Sequence, residues 1–174
     1  MTQNTNVVDK VLNNKATYGT GRSSLLIDRY NGKKIVLLSA IFQDSPSVLL
    51  TTDLNILQPK DLKNKKIMVT NDEFESTAML SMFASQSLTN KDLIIQQHSF
   101  NLQDLIDKKT SAMACYLSNE PYVLNKNKIL FNTINPKDFG FDFYGDLLFT
   151  SQEEIEKYPN RVKEIGRASC RERV

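Results

Sequence analysis

A chain of 174 residues with 22 basic residues, 20 acidic residues and a single histidine has room for one ordinary domain or two small lobes. Its 40% apolar and 24% charged content is that of a soluble globular protein, not of a disordered or fibrous one. No run approaches the roughly 18–20 apolar residues that cross a bilayer, and MTQNTNVVDK lacks the basic and apolar regions of a secretory signal, so the sequence reads as cytosolic or as lacking its true start.

Along the chain, ATYGTGR (16–22) reads as strand and loop, and SSLLIDRYN (23–31) as a helix. IVLLSAIF (35–42) and SVLLTT (47–52) are branched, glycine-free runs of strand length. Pro59 marks the expected boundary between two α/β units. Beyond it KIMVT (66–70), LIIQQHS (93–99), SAMACYL (111–117) and ILFNTI (129–134) read as strands separated by helices. ESTAMLSMFASQS (75–87) puts Ala78, Met79, Met82 and Phe83 on one helical face. NLQDLIDKK (101–109) has an Asn101 cap and Asp104 in its first turn, and NEPYVLNKN (119–127) has Pro121 near its start, where the missing N–H is harmless. FDFYGDLLF (141–149) reads as a strand, and SQEEIEKYPNRVKE (151–164) as a helix opening on the capping-box spacing Ser151–Glu154. The alternation from 66 to 134 predicts a mostly parallel sheet covered by helices. The loops TNDEFES (70–76), HSFNLQD (98–104) and YLSNEPY (116–122) then fall on the edge where open α/β sheets bind ligands.

The tail IGRASCRERV (165–174) follows no apolar period, and Gly166–Val174 back-translate to a string resembling the reverse complement of a common sequencing adapter. It is expected to be translated adapter outside the fold, the alternative being a basic tail for nucleic acid or anionic lipid. Setting it aside takes three of the 22 basic and one of the 20 acidic residues, leaving 19 of each. The remainder has no basic stripe, so no nucleic-acid partner is expected.

His98 and, outside the tail, Cys115 are lone representatives of their types, and no H-x-x-H, C-x-x-C, G-x-S-x-G or Walker-type loop occurs. Metal, hydrolase and nucleotidase chemistry therefore lack their parts, and no catalytic residue, metal or cofactor is expected. Cys115, inside an apolar run, reads as core, and His98, at a strand end, as a surface or capping residue or as one that faces a cleft. YGTGRSS (18–24), with Gly19 and Gly21, reads either as a tight turn or as helix-start amides that hold a ligand oxygen. Asp72, Glu73 and Glu75 read as helix-start acids or, if one faces a cleft, as groups that select an amine over an oxyanion. Glu120, with Tyr116, Asn119 and Tyr122 nearby, would suit a flat heteroaromatic ring, and Tyr144 and Asp146 fall within the last strand.

YGTGRSSLLIDRYNGKKIVLLSAIFQDSPSVLL, DLKNKKIMVT, AMACYLSNEPYVL and DFYGDLLFTSQEEIEKYPNRVKE together resemble the ABC-transporter solute-binding proteins for sulfonates, nitrate and thiamine-pyrimidine precursors, nearest the thiamine-pyrimidine branch. The resemblance runs over residues 4–164. It implies an α/β fold of the type II periplasmic-binding-protein kind, two lobes with mostly parallel sheets joined by a two-strand hinge. Residues 1–54 and 139–164 would form an incomplete lobe one, and 55–138 lobe two. By matching position, Gly21, Ser23, Gln43, Ser45, Asn119, Glu120 and Tyr144 would meet the ligand, and Asp72 and Glu75 join them from the loop reading. The implied function is binding of a small heteroaromatic amine in an interlobe cleft, for an ABC permease or a fused signalling domain, with the full-length parent outside the cytoplasm. The resemblance also includes eukaryotic pyrimidine synthases with a cysteine-rich, iron-linked motif, which this sequence lacks. The rival expectations are such a synthase, a sulfonate or nitrate binder, and a plain structural α/β domain.

Overall fold

The computed structural model describes residues 6–171, with side chains as far as Ala168. In chain order the elements are α1 (Val7–Leu12), β1 (Tyr18–Gly21), α2 (Leu25–Tyr30), β2 (Ile35–Phe42), β3 (Ser47–Thr51), β4 (Lys66–Val69), α3 (Asn71–Phe74) and α4 (Thr77–Ser85). They continue with β5 (Ile94–Gln97), α5 (Gln103–Ile106), β6 (Ala112–Tyr116), α6 (Glu120–Lys126), β7 (Asn132–Ile134), β8 (Gly145–Ser151), α7 (Gln152–Lys157) and α8 (Pro159–Arg171). Two compact units result, one of Met1–Ser45 with Tyr144–Val174, the other of Pro46–Phe143. The expected boundaries, after 54 and after 138, differ from this division at 46–54 and 139–143, both of which fall in the second unit; β3 pairs there with β6 and β7.

In the first unit, β8 lies between β1 and β2 in a three-stranded sheet whose pairs are both antiparallel. Val8, Val11, Leu25, Ile35, Leu147 and Phe149 form its core. Two of them come from α1, a helix absent from the sequence expectations; Asn6 caps it by accepting the Asp9 N–H at 3.2 Å, and the three-residue spacing of Val8 and Val11 turns one face inward. The expected helix 151–164 is broken at Tyr158, because the residue before Pro159 is pushed out of helical geometry. The tail expected to lie outside the fold continues α8 as far as Arg171.

The second unit holds a five-stranded sheet in the order β5-β4-β6-β3-β7. The mostly parallel pairing expected holds for β5-β4-β6, while β3 enters antiparallel to both of its neighbours. Strand alternation splits its core into two layers. Leu49, Ile67, Val69, Ala112 and Ala114 face Met79, Met82 and Phe83 of α4 on one side. Val48, Leu50, Met68, Met113 and Cys115 face Leu105 of α5 and Leu124 of α6 on the other. Burial on both faces is why these strands read as continuous apolar runs. β7 is shorter than the run 129–134, since Ile129 N–H turns back to the Leu124 carbonyl at 3.0 Å through a left-handed Lys128, ending α6.

Candidate functional site

The carboxyl ends of β5, β4 and β6 share one edge of the five-stranded sheet because the strands are parallel. After β4, Thr70 caps α3: its Oγ1 accepts the Glu73 N–H at 3.2 Å, and Glu73 Oε2 accepts the Thr70 N–H at 3.0 Å. This reciprocal box holds Glu73 buried, while Asp72 and Glu75 on the same turn are exposed. After β6, Asn119 is exposed and Glu120, the first residue of α6, is half-buried. Glu120 Oε2 itself is buried and meets no hydrogen-bond donor among the described residues. Between these two turns burial pushes the Cys115 thiol far up, and the charges of Glu120 and Glu73 add to the rise. Two carboxylates thus bias the end of β6 negatively. Tyr116 is half-buried there, and Tyr122 is exposed on α6. Among the described residues no group of three His, Cys, Asp or Glu side chains could hold a metal ion.

After β5, His98 is buried, not at the surface. Its Nε2 donates to the Ala114 carbonyl at 2.8 Å and its Nδ1 accepts the Phe100 N–H at 2.9 Å. That pairing assigns the proton to Nε2. With both nitrogens engaged, the imidazole ties the β5 loop to β6.

In the first unit the strand register brings the other expected residues to a single sheet edge. Gly21 pairs with Leu147 and Phe42 with Gly145, so Gly21 and Ser23, Gln43 and Ser45, and Tyr144 all lie where β1 and β2 end and β8 begins. Gln43 and Tyr144 are exposed, and Ser23 is buried. A Cβ on Gly21 would lie 3.0 Å from the Leu25 side chain, a tight approach of α2 to β1.

The family described as NMT1/THI5 like matches residues 1–171. The chain belongs to this family. No curated protein matches it. Among solved structures it is similar to a Bordetella bronchiseptica RB50 protein, with a TM-score of 0.75 and 16% identity over 94% of this chain and 56% of that one. A putative periplasmic sulfonate-binding protein of an ABC transporter from Methylobacillus flagellatus KT matches with a TM-score of 0.65 and 17% identity, over 94% of this chain and 50% of that one. A Salmonella typhimurium periplasmic binding protein of high arginine specificity gives 0.64 and 12%, over 94% of this chain and 69% of that one. The chain spans about half the length of the first two. At these identities the likeness establishes the fold, a mixed α/β architecture like that of periplasmic solute-binding proteins. No helix among the described residues is long and apolar enough to cross a membrane.

Within this NMT1/THI5-like fold, Glu73 is the one of the three β4-loop acids that is buried. The spacing Thr70-x-x-Glu73 marks it as a capping-box residue, but its burial beside β6 follows from the strand order, which the spacing does not encode.

Proposed function

We propose that this NMT1/THI5-like chain reversibly binds a small solute presenting a hydrogen-bond donor or cation at the carboxyl edge of β4 and β6, with thiamine-pyrimidine precursors and related heteroaromatic amines as its class. The observation that carries the reading is Glu120 Oε2, buried without a donor. An acceptor left unsatisfied in this way costs about 1–3 kcal/mol, which an amine or ring N–H of a ligand would recover. A sulfonate or nitrate at the same place would meet the like charges of Glu120 and Glu73. Tyr116 and Asn119 flank Glu120 and suit a flat ring, and exposed Asp72 and Glu75 add negative potential. Gly21, Ser23, Gln43, Ser45 and Tyr144 are assigned to solute binding by positional resemblance.

Binding without turnover is supported by the two residues that could otherwise carry chemistry. The raised Cys115 thiol stays protonated near neutral pH, and His98 has both nitrogens committed. These features disfavour the synthase alternative. The output we propose is delivery to an ABC permease, or to a fused signalling domain, from outside the cytoplasm. Thermal melting with an aminopyrimidine, taurine or nitrate tests the solute class. The aminopyrimidine should raise the midpoint and be recovered unchanged; a rise with taurine or nitrate alone would contradict it.

A further inference from the structure

The opposite, amino-terminal edge of the same five-stranded sheet gathers lysines. Lys60 lies in the turn leading to β4, Lys65 and Lys66 open β4, Lys108 precedes β6, and Lys126 and Lys128 end α6 ahead of β7. All are exposed except half-buried Lys65. Acids share this edge and keep their charge, but among the described residues none is in an ion pair with these six lysines. Asp92 holds Lys63 at 3.2 Å and Asp107 holds Lys109 at 3.4 Å. Asp61 accepts the Leu57 and Gln58 N–H groups, and Asp53 accepts the Asn55 N–H. Asp53 feels Lys65 and Lys108 only through longer-range attraction.

Three leucines stand exposed at the same edge: Leu54 at 48%, Leu57 at 65% and Leu130 at 72%. Asn132 holds their two segments together, its Nδ2 donating to the Leu54 carbonyl at 3.3 Å and the Ile56 carbonyl at 3.2 Å. Exposed leucines ringed by an excess of cations call for a partner with negative charge outside and apolar matter just beneath. Protein interfaces concentrate their energy in Trp, Tyr and Arg and are poor in Lys. Residues 46–143 contain no arginine or tryptophan, and the segments 53–66, 106–112 and 125–132 contain no tyrosine. Long lysine stems that keep their charges at headgroup level, with a few leucines below them, are the chemistry of an interfacial lipid contact. We infer that this edge docks on an anionic lipid surface, with Leu54, Leu57 and Leu130 dipping among the headgroups.

Co-sedimentation of the full chain with phosphatidylcholine vesicles, with and without added phosphatidylglycerol, tests this independently of any solute. Binding should appear with phosphatidylglycerol, be absent on pure phosphatidylcholine, and fall as salt is raised. Each lysine near such a surface is worth roughly fivefold in affinity, so Lys66→Glu, Lys108→Glu and Lys128→Glu together should weaken binding by on the order of 100-fold or more. Leu57→Ser with Leu130→Ser should weaken it several-fold at unchanged charge. All five positions are exposed, and a melting curve of each variant is the check that it stays folded. Absence of binding to phosphatidylglycerol, binding that survives the lysine changes, or preferential capture by polyglutamate with no response to the leucine changes would overturn the inference, the last in favour of an acidic protein surface.

Discussion

Gly19 shows how a single missing side chain sets the first unit's packing. A Cβ there would lie 2.7 Å from the Phe149 ring and 2.8 Å from Val7 Cγ1, so the glycine is required by close approach and not by a left-handed turn. Gly19→Ala should destabilise the protein by about 1–3 kcal/mol, the usual range for overpacking a core, and adding Phe149→Leu should return part of the loss in urea unfolding. Asp92 makes a different prediction. Hydrogen bonds from the Thr89 N–H and hydroxyl, and then Lys63, hold its carboxyl down at about 2. A depressed folded value means that the stabilisation is complete above the ordinary aspartate range near 4 and is lost as the pH falls through about 2. The urea midpoint of Asp92→Asn should therefore fall less steeply with acid than that of the unaltered chain; parallel acid limbs would refute this. At this scale the sequence showed which residues carry charge near strand ends, such as Glu120. It did not show that one oxygen of Glu120 would be buried without a donor, because that depends on how α6 seats against β6.

Among the elements, α8 is held to the first unit by one buried acid. Arg161 reaches Glu154 through Nε at 2.7 Å and a second guanidinium N–H at 2.8 Å, and the Tyr18 hydroxyl donates to the same carboxylate at 3.2 Å. Arg161 also stacks over the Tyr158 ring at 4.1 Å. The Ser151–Glu154 spacing suggested a full capping box, yet only half of it forms: Ser151 Oγ accepts the Glu154 N–H at 3.1 Å, while the Glu154 side chain is drawn to Arg161 and Tyr18. Since Arg161 is half-exposed, Glu154→Ala should cost only about 1 kcal/mol, but amide exchange should accelerate selectively in α8. An unchanged α8 would show that this cluster does not anchor the helix. Strand positions were legible because alternation and apolar runs mark them; β2 spans 35–42 as expected. Strand direction was not, since a run buried on both faces looks the same parallel or antiparallel.

For the whole molecule, the two units carry cores of different kinds. The second has apolar layers on both faces of its five-stranded sheet; among its described residues the first has one cluster and leaves Leu37 and Ile41 of the outer strand β2 exposed. Hydrogen exchange should find 66–134 protected and 1–45 exchanging quickly, and equal protection in both would contradict this account. The α/β order and the family fold could be read from the sequence because the periodic pattern and the quoted segments are local features. The edge-by-edge division of charge in the second unit could not, since it depends on strand order. The central claim is that the carboxyl edge of β4 and β6 takes a donor-bearing solute through Glu120. Titration calorimetry of the unaltered chain and of Glu120→Gln, each against an aminopyrimidine and against taurine, tests it most directly. The account predicts binding of the aminopyrimidine alone, weakened in Glu120→Gln by about 1–3 kcal/mol, the range for a lost charged hydrogen bond. Taurine binding of equal strength in both proteins would contradict it.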